Sequence, residues 1–595
     1  MENTQDPLYK IRHSLAHVLA QAVLELRPGA KLAFGPPVDN GCYYDFKFEQ
    51  PLTPEDFPEI EKRMRRIIGE KQPFEAKSRS AEDAAQYLGS IGQNFKSEYC
   101  QELAERGETE IGFYVNGSFE DMCAGPHVDH TGQIPPDCFT IDSIAGAYWR
   151  GSEKNPMLSR IYCLAFSNKK ELAEYQEKRR LALERDHRKL GKELELFIIS
   201  DMVGSGLPLW TPNGTVIRDA LESFAKETEA RAGYQRVATP HLAKEELYLK
   251  SGHLAMYKDS MYPAMELEGE SRYYLKPMNC PHHHQIYSYR PRSYRELPLR
   301  LAEYGTVYRY EASGTLSGLL RVRSICQNDA HIYCTPAQLK EELKATFTMC
   351  LTYYNKFRFN SIKARYSTHD PARPEKFADD PESWKFSEQV VKEVLDEAGM
   401  DYIPGPGEAA FYGPKIDFQA TSVVGREESI STTQLDFAQP IRFDLSFVGE
   451  DGAAHRPFIV HRAPLGAHER FIAFLIEHFG GAFPTWMAPT QVMIIPVKPT
   501  VEGSAKELAE TLRGELLRAE VDLSDNSFNK KIREAVTQKI PNIVILGERE
   551  AEAGNITLRR YCVKEQVTMS RDTFIDRMIR INRDRTMDNF ADVEI

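Results

Sequence analysis

The run Arg321-Val322-Arg323-Ser324-Ile325-Cys326-Gln327-Asn328-Asp329-Ala330-His331 constrains this chain more than any other. Successive side chains of an extended strand point to opposite faces. Arg321, Arg323, Gln327, Asp329 and His331 therefore share one face, and that face is almost wholly polar. The flanking sequence is apolar, and a strand in such surroundings ordinarily turns apolar side chains inward. Buried polar groups need partners, which a bound ligand can supply, so the pattern points to a lined pocket. A solvated edge strand would show the same alternation.

Composition limits the classes open to such a pocket. A length of 595 residues predicts about three or four domains. With 42% hydrophobic and 27% charged residues the chain is of ordinary soluble type, and no apolar run approaches the roughly 18 residues of a membrane span. The start, Met1 to Lys10, lacks the basic head and apolar centre of a signal peptide. A cytoplasmic, reducing setting is expected. The ten cysteines are scattered without framework spacing, which predicts free thiols or metal ligands and no disulfides. A net charge of -12, from 75 basic and 87 acidic residues, carries no global nucleic-acid signature, so an RNA partner would have to use local basic patches.

Four zones separate by pattern, without internal repeats. Residues 1–165 mix short helices and strands. Residues 166–196 are densely charged, with Leu172, Tyr175, Leu183 and Leu190 loosely at helical spacing, and predict a solvated connecting helix. Residues 197–488 open with an amphipathic helix over 216–229, followed by a strand that ends at Pro240. Residues 489–595 alternate strands (492–495, 542–546) with helices (505–520, 572–583), the pattern of a small α/β domain.

The third zone holds most of the chemistry. Residues 306–311 alternate, with Tyr308 and Tyr310 on one face and Arg309 and Glu311 on the other. Tyr412-Gly413-Pro414-Lys415-Ile416-Asp417 joins a turn signal to a lysine and an acid. Arg470 falls in the first turn of an apolar helix, where the helix dipole favours anions, and a ligand phosphate would compensate. Cys280, His331 and His461 lie too far apart for finger-type spacing, yet each sits in a candidate pocket segment. Three such ligands with an open fourth position suit a substrate-binding zinc, and a buried cysteine beside two hydrogen-bonding histidines fits equally. His282-His283-His284 reads as a competing metal tract or an exposed loop cluster. In the first zone, His13 and His17 share one side of a helix whose other side carries Leu15, Val18, Leu19 and Ala22. Together with Cys123 and His127 they match a zinc site about as well as a hydrolytic one.

The segments Pro277-Met278-Asn279-Cys280-Pro281, Arg309-Tyr310-Glu311, Arg321-Val322-Arg323 with Asp329-Ala330-His331, Tyr412-Gly413-Pro414-Lys415, His461-Arg462-Ala463 and Glu469-Arg470-Phe471 resemble, in order, the threonyl-tRNA synthetases. The resemblance runs from about residue 7 to the C-terminus and implies an α+β multidomain protein. Residues 1–165 would form an α+β editing domain, 166–196 a linker helix, 197–488 a class II synthetase domain with an antiparallel sheet and helices, and 489–595 an α/β anticodon-binding domain. The family usually begins with a small ubiquitin-like domain, and a form without it is expected.

By that resemblance Cys280, His331 and His461 are zinc ligands, and Arg309, Glu311, Arg321, Gln434 and Arg470 bind ATP with its Mg2+. Gln327, Asp329 and Tyr412 surround threonine, and Arg309, Lys415 and His253 serve the chemistry. His13, His17, Lys96, Asp121, Cys123 and His127 form the site that hydrolyses seryl-tRNA, expected to work without metal. Arg533, Glu550 and Arg559 meet the anticodon of tRNA(Thr), and the enzyme is a homodimer. Such a division suits the substrates. An apolar pocket separates threonine from its isostere valine poorly, whereas loss of a methyl to give serine is worth only about 1 to 3 kcal/mol, so a second, hydrolytic site is required. Three positions depart from the family: Ser429 stands where a glutamine is usual, Ala467 replaces a common serine and Asp525 an asparagine.

Overall fold

The computed structural model describes all residues except 1–6, 268, 270, 360, 423, 424, 426, 562, 591 and 593–595. The chain divides into two compact units, Met1–Arg179 and Arg180–Ile595. The division falls within the helix Lys169–Arg185, whose only buried residue is Leu172. The single connecting helix expected over 166–196 is therefore two helices. The second, His187–Glu193, is capped by the Asp186 side chain. It buries Leu190 in the core of the larger unit and pairs His187 with Glu477 at 2.9 Å.

In the first unit the helix Pro7–Leu26 lies on a five-stranded sheet that includes Gly41–Lys47, Met157–Ala165 and Phe139–Tyr148. Leu15, Leu19 and Val23 meet Phe46, Ile60, Met64 and Ile161 in one core. The helix is buried nearly all round from Ser14 to Val23, so the side that carries His17 is covered as well as the apolar one: His17 is only 3% exposed. A three-stranded sheet, Glu75–Ser80, Glu110–Asn116 and Phe119–Met122, carries the helices Ala81–Ser90 and Asn94–Glu105 through a small core of Ala84, Leu88, Cys100 and Phe113.

The second unit is organised by an eight-stranded sheet. Its order runs Gln235–Arg236, Leu299–Tyr308, Ser324–Cys334, Phe458–Ala463, Glu427–Asp436, Lys415–Thr421, Ile362–Thr368 and Tyr402–Pro406. All neighbours are antiparallel except the pair at each edge. The helices Pro212–Arg231, Leu339–Lys356 and His468–Phe479 share the main core with its strands. The strand expected to end at Pro240 is only the pair Gln235–Arg236. The central polar strand begins at Ser324, so Arg321 and Arg323 precede it, and Arg309 to Glu311 likewise follow the end of theirs at Tyr308.

The last zone is a mixed five-stranded sheet, with Ala519–Val521, Val492–Pro496 and Asn542–Leu546 parallel and Asn555–Arg560 and Gln566–Ser570 added antiparallel. The helix expected over 505–520 covers Glu502–Gly514 and stops there. Leu516 adopts a left-handed φ of 59°, which turns the chain so that Leu517 and Ala519 enter the core.

Candidate active site and histidine–cysteine clusters

The register of the large sheet builds the site. Directly opposed residues on neighbouring strands point to the same face. His331 opposes His461, His461 opposes Gln434, and Gln434 opposes Lys415. A polar row thus crosses four strands, and Asp329 and Gln327 extend it along the strand of His331 by the two-residue period. Apart from Lys415, the row lines a cleft of about 250 Å3.

Cys280, His331 and His461 line the cleft together with Gln327, Asp329 and Tyr412, and Arg309, Gln434 and Arg470 also face it. Gln434, expected with the nucleotide, is hydrogen-bonded by the Tyr412 hydroxyl and donates to Thr432 at 3.3 Å. Asn279 donates to Asp329 at 3.0 Å. That amide lies where a side chain on residue 305 would be, since a Cβ at Gly305 would come within 2.2 Å of the Asn279 oxygen. Burial raises the Asp329 carboxyl above its usual range.

The cations gather with little compensation. Burial, and then the neighbouring Arg309 and Arg321 charges, lower the pKa of the Arg470 guanidinium, against partial support from Glu428 and Glu311. Its hydrogen bonds go to the carbonyls of Leu320 and Ser429, both at 3.2 Å. The backbone of Ser429, the position that departs from the family, therefore orients this arginine. Arg321 and Glu311 lie outside the lining and pair with each other at 2.8 Å. Lys415 pairs with Asp417 at 2.7 Å, and it is Asp417 that reaches the lining. His253 is fully buried, bonded to Ser251 at 2.6 Å and to the Met278 sulfur at 3.0 Å. Burial, with Arg309 next, pushes its pKa down to about 3, so it stands as neutral imidazole.

Cys280, His331 and His461 each offer one donor atom, and these lie within 4.8 Å of one another. Asp436 bonds Nε2 of His461 at 2.8 Å, which leaves Nδ1 of that ring as the donor. Burial raises the Cys280 thiol well above its usual pKa and holds His331 well below. A thiol and two buried imidazoles so placed fit a borderline-soft cation such as zinc. The run His282-His283-His284, read as a metal tract or an exposed loop cluster, is instead buried on the helix Cys280–Ser288. His283 and His284 are hydrogen-bonded to Glu303 and Tyr333, and neither belongs to a converging ligand group among the described residues.

A second cluster lies in the first unit. His13 Nε2 and His127 Nε2 both reach the Cys123 sulfur at 3.2 Å. Their Nδ1 atoms contact the Pro126 carbonyl at 3.2 Å and the Ser14 hydroxyl at 3.1 Å. With His17, the four donors again lie within 4.8 Å. Lys96 and Asp121 form a buried ion pair, and Tyr44 bonds both. Most of these side chains line a cavity of about 720 Å3. Burial lowers His13, His17 and His127 and lifts the Cys123 thiol to about 11. A third group, Glu222, Cys326 and His468, occupies the reverse face of the polar strand, with Lys226 bonded to Glu222 at 2.9 Å and Arg218 beside Cys326.

Three family descriptions match parts of the chain: "tRNA synthetase class II core domain (G, H, P, S and T)" over residues 264–479, "Anticodon binding domain" over 491–581, and "Threonyl and Alanyl tRNA synthetase second additional domain" over 110–162. A threonine--tRNA ligase of Bacillus velezensis is 47% identical over 97% of this chain and 89% of its own length. The chain belongs to the threonyl-tRNA synthetase family. A threonine--tRNA ligase of Deinococcus deserti is 47% identical over 95% of this chain and 87% of its own. Among solved structures, the RNA-binding domain of threonyl-tRNA synthetase from Cryptosporidium parvum is similar with a TM-score of 0.63 and 35% identity, covering 66% of this chain and 97% of that one. As a member of this family the chain combines a class II core, an anticodon-binding domain and an editing-type domain in one α+β polypeptide. No described helix is long and apolar enough to cross a membrane.

Asp436 and Glu303 escaped the sequence reading. Both lie in strands with no local motif, and only their hydrogen bonds to His461 and His283 reveal them. Arg533, Glu550 and Arg559 lie on three elements of the last sheet: the helices Phe528–Thr537 and Glu548–Glu552 and the strand Asn555–Arg560.

Proposed function

We propose that the chain joins L-threonine to tRNA(Thr) through a threonyl-adenylate and hydrolyses seryl-tRNA(Thr) at its N-terminal cluster. The observation that carries the first part is the cleft itself, with converging arginines and a Cys280/His331/His461 donor set on either side of Gln327 and Asp329. Arg309 and Arg470 hold the ATP phosphates, with Mg2+ accompanying the nucleotide, and Arg321 and Glu311 exchange their mutual contact for the nucleotide. Because the arginines are fixed by carbonyls before substrate arrives, little reorganisation accompanies charge development at the α-phosphorus. Asp329 accepts a hydrogen bond from the threonine amino group and Tyr412 closes the pocket beside it. A zinc ion held by Cys280, His331 and His461 would accept the substrate's amino and hydroxyl groups and so disfavour valine. Lys415 and His253 keep Asp417 and Met278 in place at the cleft.

At the other site neutral His17 is positioned to accept a proton from a hydrolytic water, and Lys96 to polarise the ester. We assign the editing domain to residues 1–165, the connection to 166–196, the class II domain to 197–488 and the anticodon-binding domain to 489–595, where Arg533, Glu550 and Arg559 contact the tRNA. A cytoplasmic homodimer completes the reading. Threonine-dependent exchange of pyrophosphate into ATP tests it: exchange with threonine and not valine is expected from zinc-replete protein, and no exchange with threonine would overturn it.

A further inference from the structure

Behind the Cys280/His331/His461 group lies a chain of hydrogen bonds through buried side chains. Nδ1 of His331 meets Nδ1 of His283 at 2.8 Å. Nε2 of His283 meets Oε2 of Glu303 at 3.1 Å. The other carboxylate oxygen, Oε1, accepts from the Thr239 backbone at 2.6 Å and lies 3.7 Å from Nζ of Lys276, which itself bonds the Thr239 hydroxyl at 2.9 Å. His283 and Lys276 are fully buried, His331 is 1% exposed and Glu303 5%.

From this geometry we infer that His283 and Glu303 are positioning residues that fix His331 as the tautomer able to hold a metal ion. The inference rests on the metal reading given above. A carboxylate can only accept, so the proton in the His283–Glu303 contact sits on Nε2 of His283. In the neutral imidazole one ring nitrogen donates and the other accepts. Nδ1 of His283 is then a lone pair, and the 2.8 Å contact requires His331 to donate from Nδ1. Nε2 of His331 is left unprotonated as the donor atom. Carboxylates that orient and polarise ligating imidazoles in this manner raise their basicity. His461 has the one-step version through Asp436, whereas His331 has a two-step relay through a second imidazole. The relay ends at Thr239, next to Pro240, and so ties the ligand to the segment that enters the sheet.

The test is zinc affinity, measured on the full chain by competition with a chromophoric chelator, together with the absorption of the Co2+-substituted protein. Glu303→Gln and His283→Leu are expected to weaken zinc about 10- to 100-fold and to shift the Co2+ ligand-field bands. His283→Asn leaves an amide oxygen able to accept from Nδ1 of His331 and should recover most of the affinity. A purely structural loss would not show that recovery. Cys280→Ala serves as the control for the site. If Cys280→Ala lowers affinity while Glu303→Gln and His283→Leu bind zinc like the unaltered chain, the relay is overturned and the metal reading stands. If Cys280→Ala leaves zinc binding unchanged, the metal reading itself falls.

Discussion

The two histidine–cysteine clusters are built from the same side-chain types and differ in what stands behind them. In the first unit, His13 and His127 lean on a backbone carbonyl and a hydroxyl, and their other nitrogens meet the Cys123 sulfur. In the second unit, His461 is backed directly by Asp436 and His331 through His283 by Glu303. Anionic backing makes an imidazole a better metal ligand. Neutral backing leaves a set of weakly basic imidazoles beside a buried Lys96–Asp121 pair. On the proposed reading residue type alone does not separate the metal site from the hydrolytic one, and the surrounding acceptors do.

The sharpest way to break this contrast is to remove one thiol from each cluster. Cys280→Ala should lose the tightly held zinc and abolish threonine-dependent pyrophosphate exchange, whereas Cys123→Ala should keep both; equal zinc loss from the two variants, by elemental analysis after mild chelation, would erase the distinction. His13→Ala with His17→Ala should slow clearance of seryl-tRNA by about 10²- to 10⁴-fold, the range of general acid–base contributions, and leave threonine charging intact. Unchanged clearance would remove the hydrolytic role. Arg470→Ala should lower pyrophosphate exchange by about 10²- to 10³-fold, as for loss of one preorganised charge-stabilising donor, without touching zinc content or seryl-tRNA hydrolysis.

A smaller effect comes from pH. Burial holds His13, His17 and His127 below the ordinary value of 6.5 in the folded chain. The unfolded chain binds more protons below that value, so the first unit should lose stability as pH falls from about 6.5 and keep it fully above. The slope is at most about 1.4 kcal/mol per pH unit for each histidine. Thermal melts across this range should show it, and His17→Gln should flatten it; identical slopes would mean that His17 does not sense pH.

Much of the candidate site was legible because strand periodicity is local. Gln327, Asp329 and His331 share a face in the sequence and in the structure, and the His13/His17 spacing does place both imidazoles together. Arg321 and Arg323 extended the same pattern beyond the real start of the strand, because alternation says nothing about where a strand begins. The buried tract 282–284 was misjudged for a related reason. A histidine run reads as polar until Glu303 and Tyr333 are seen to satisfy His283 and His284. Helix ends were equally local decisions, and the left-handed turn at Leu516 overrode a helical pattern that ran on to Glu520.

The sequence by itself determined the family through its ordered motifs, and which side chains could do chemistry. Tertiary structure decided how they combine. Opposed register brings His331, His461, Gln434 and Lys415 from four strands, spread over more than a hundred residues, into one row. Register is a property of pairing between strands, and no single strand encodes its partner's offset. The same holds for Asp436 and Glu303, ordinary acids in sequence, which gain a role only where folding sets each against an imidazole.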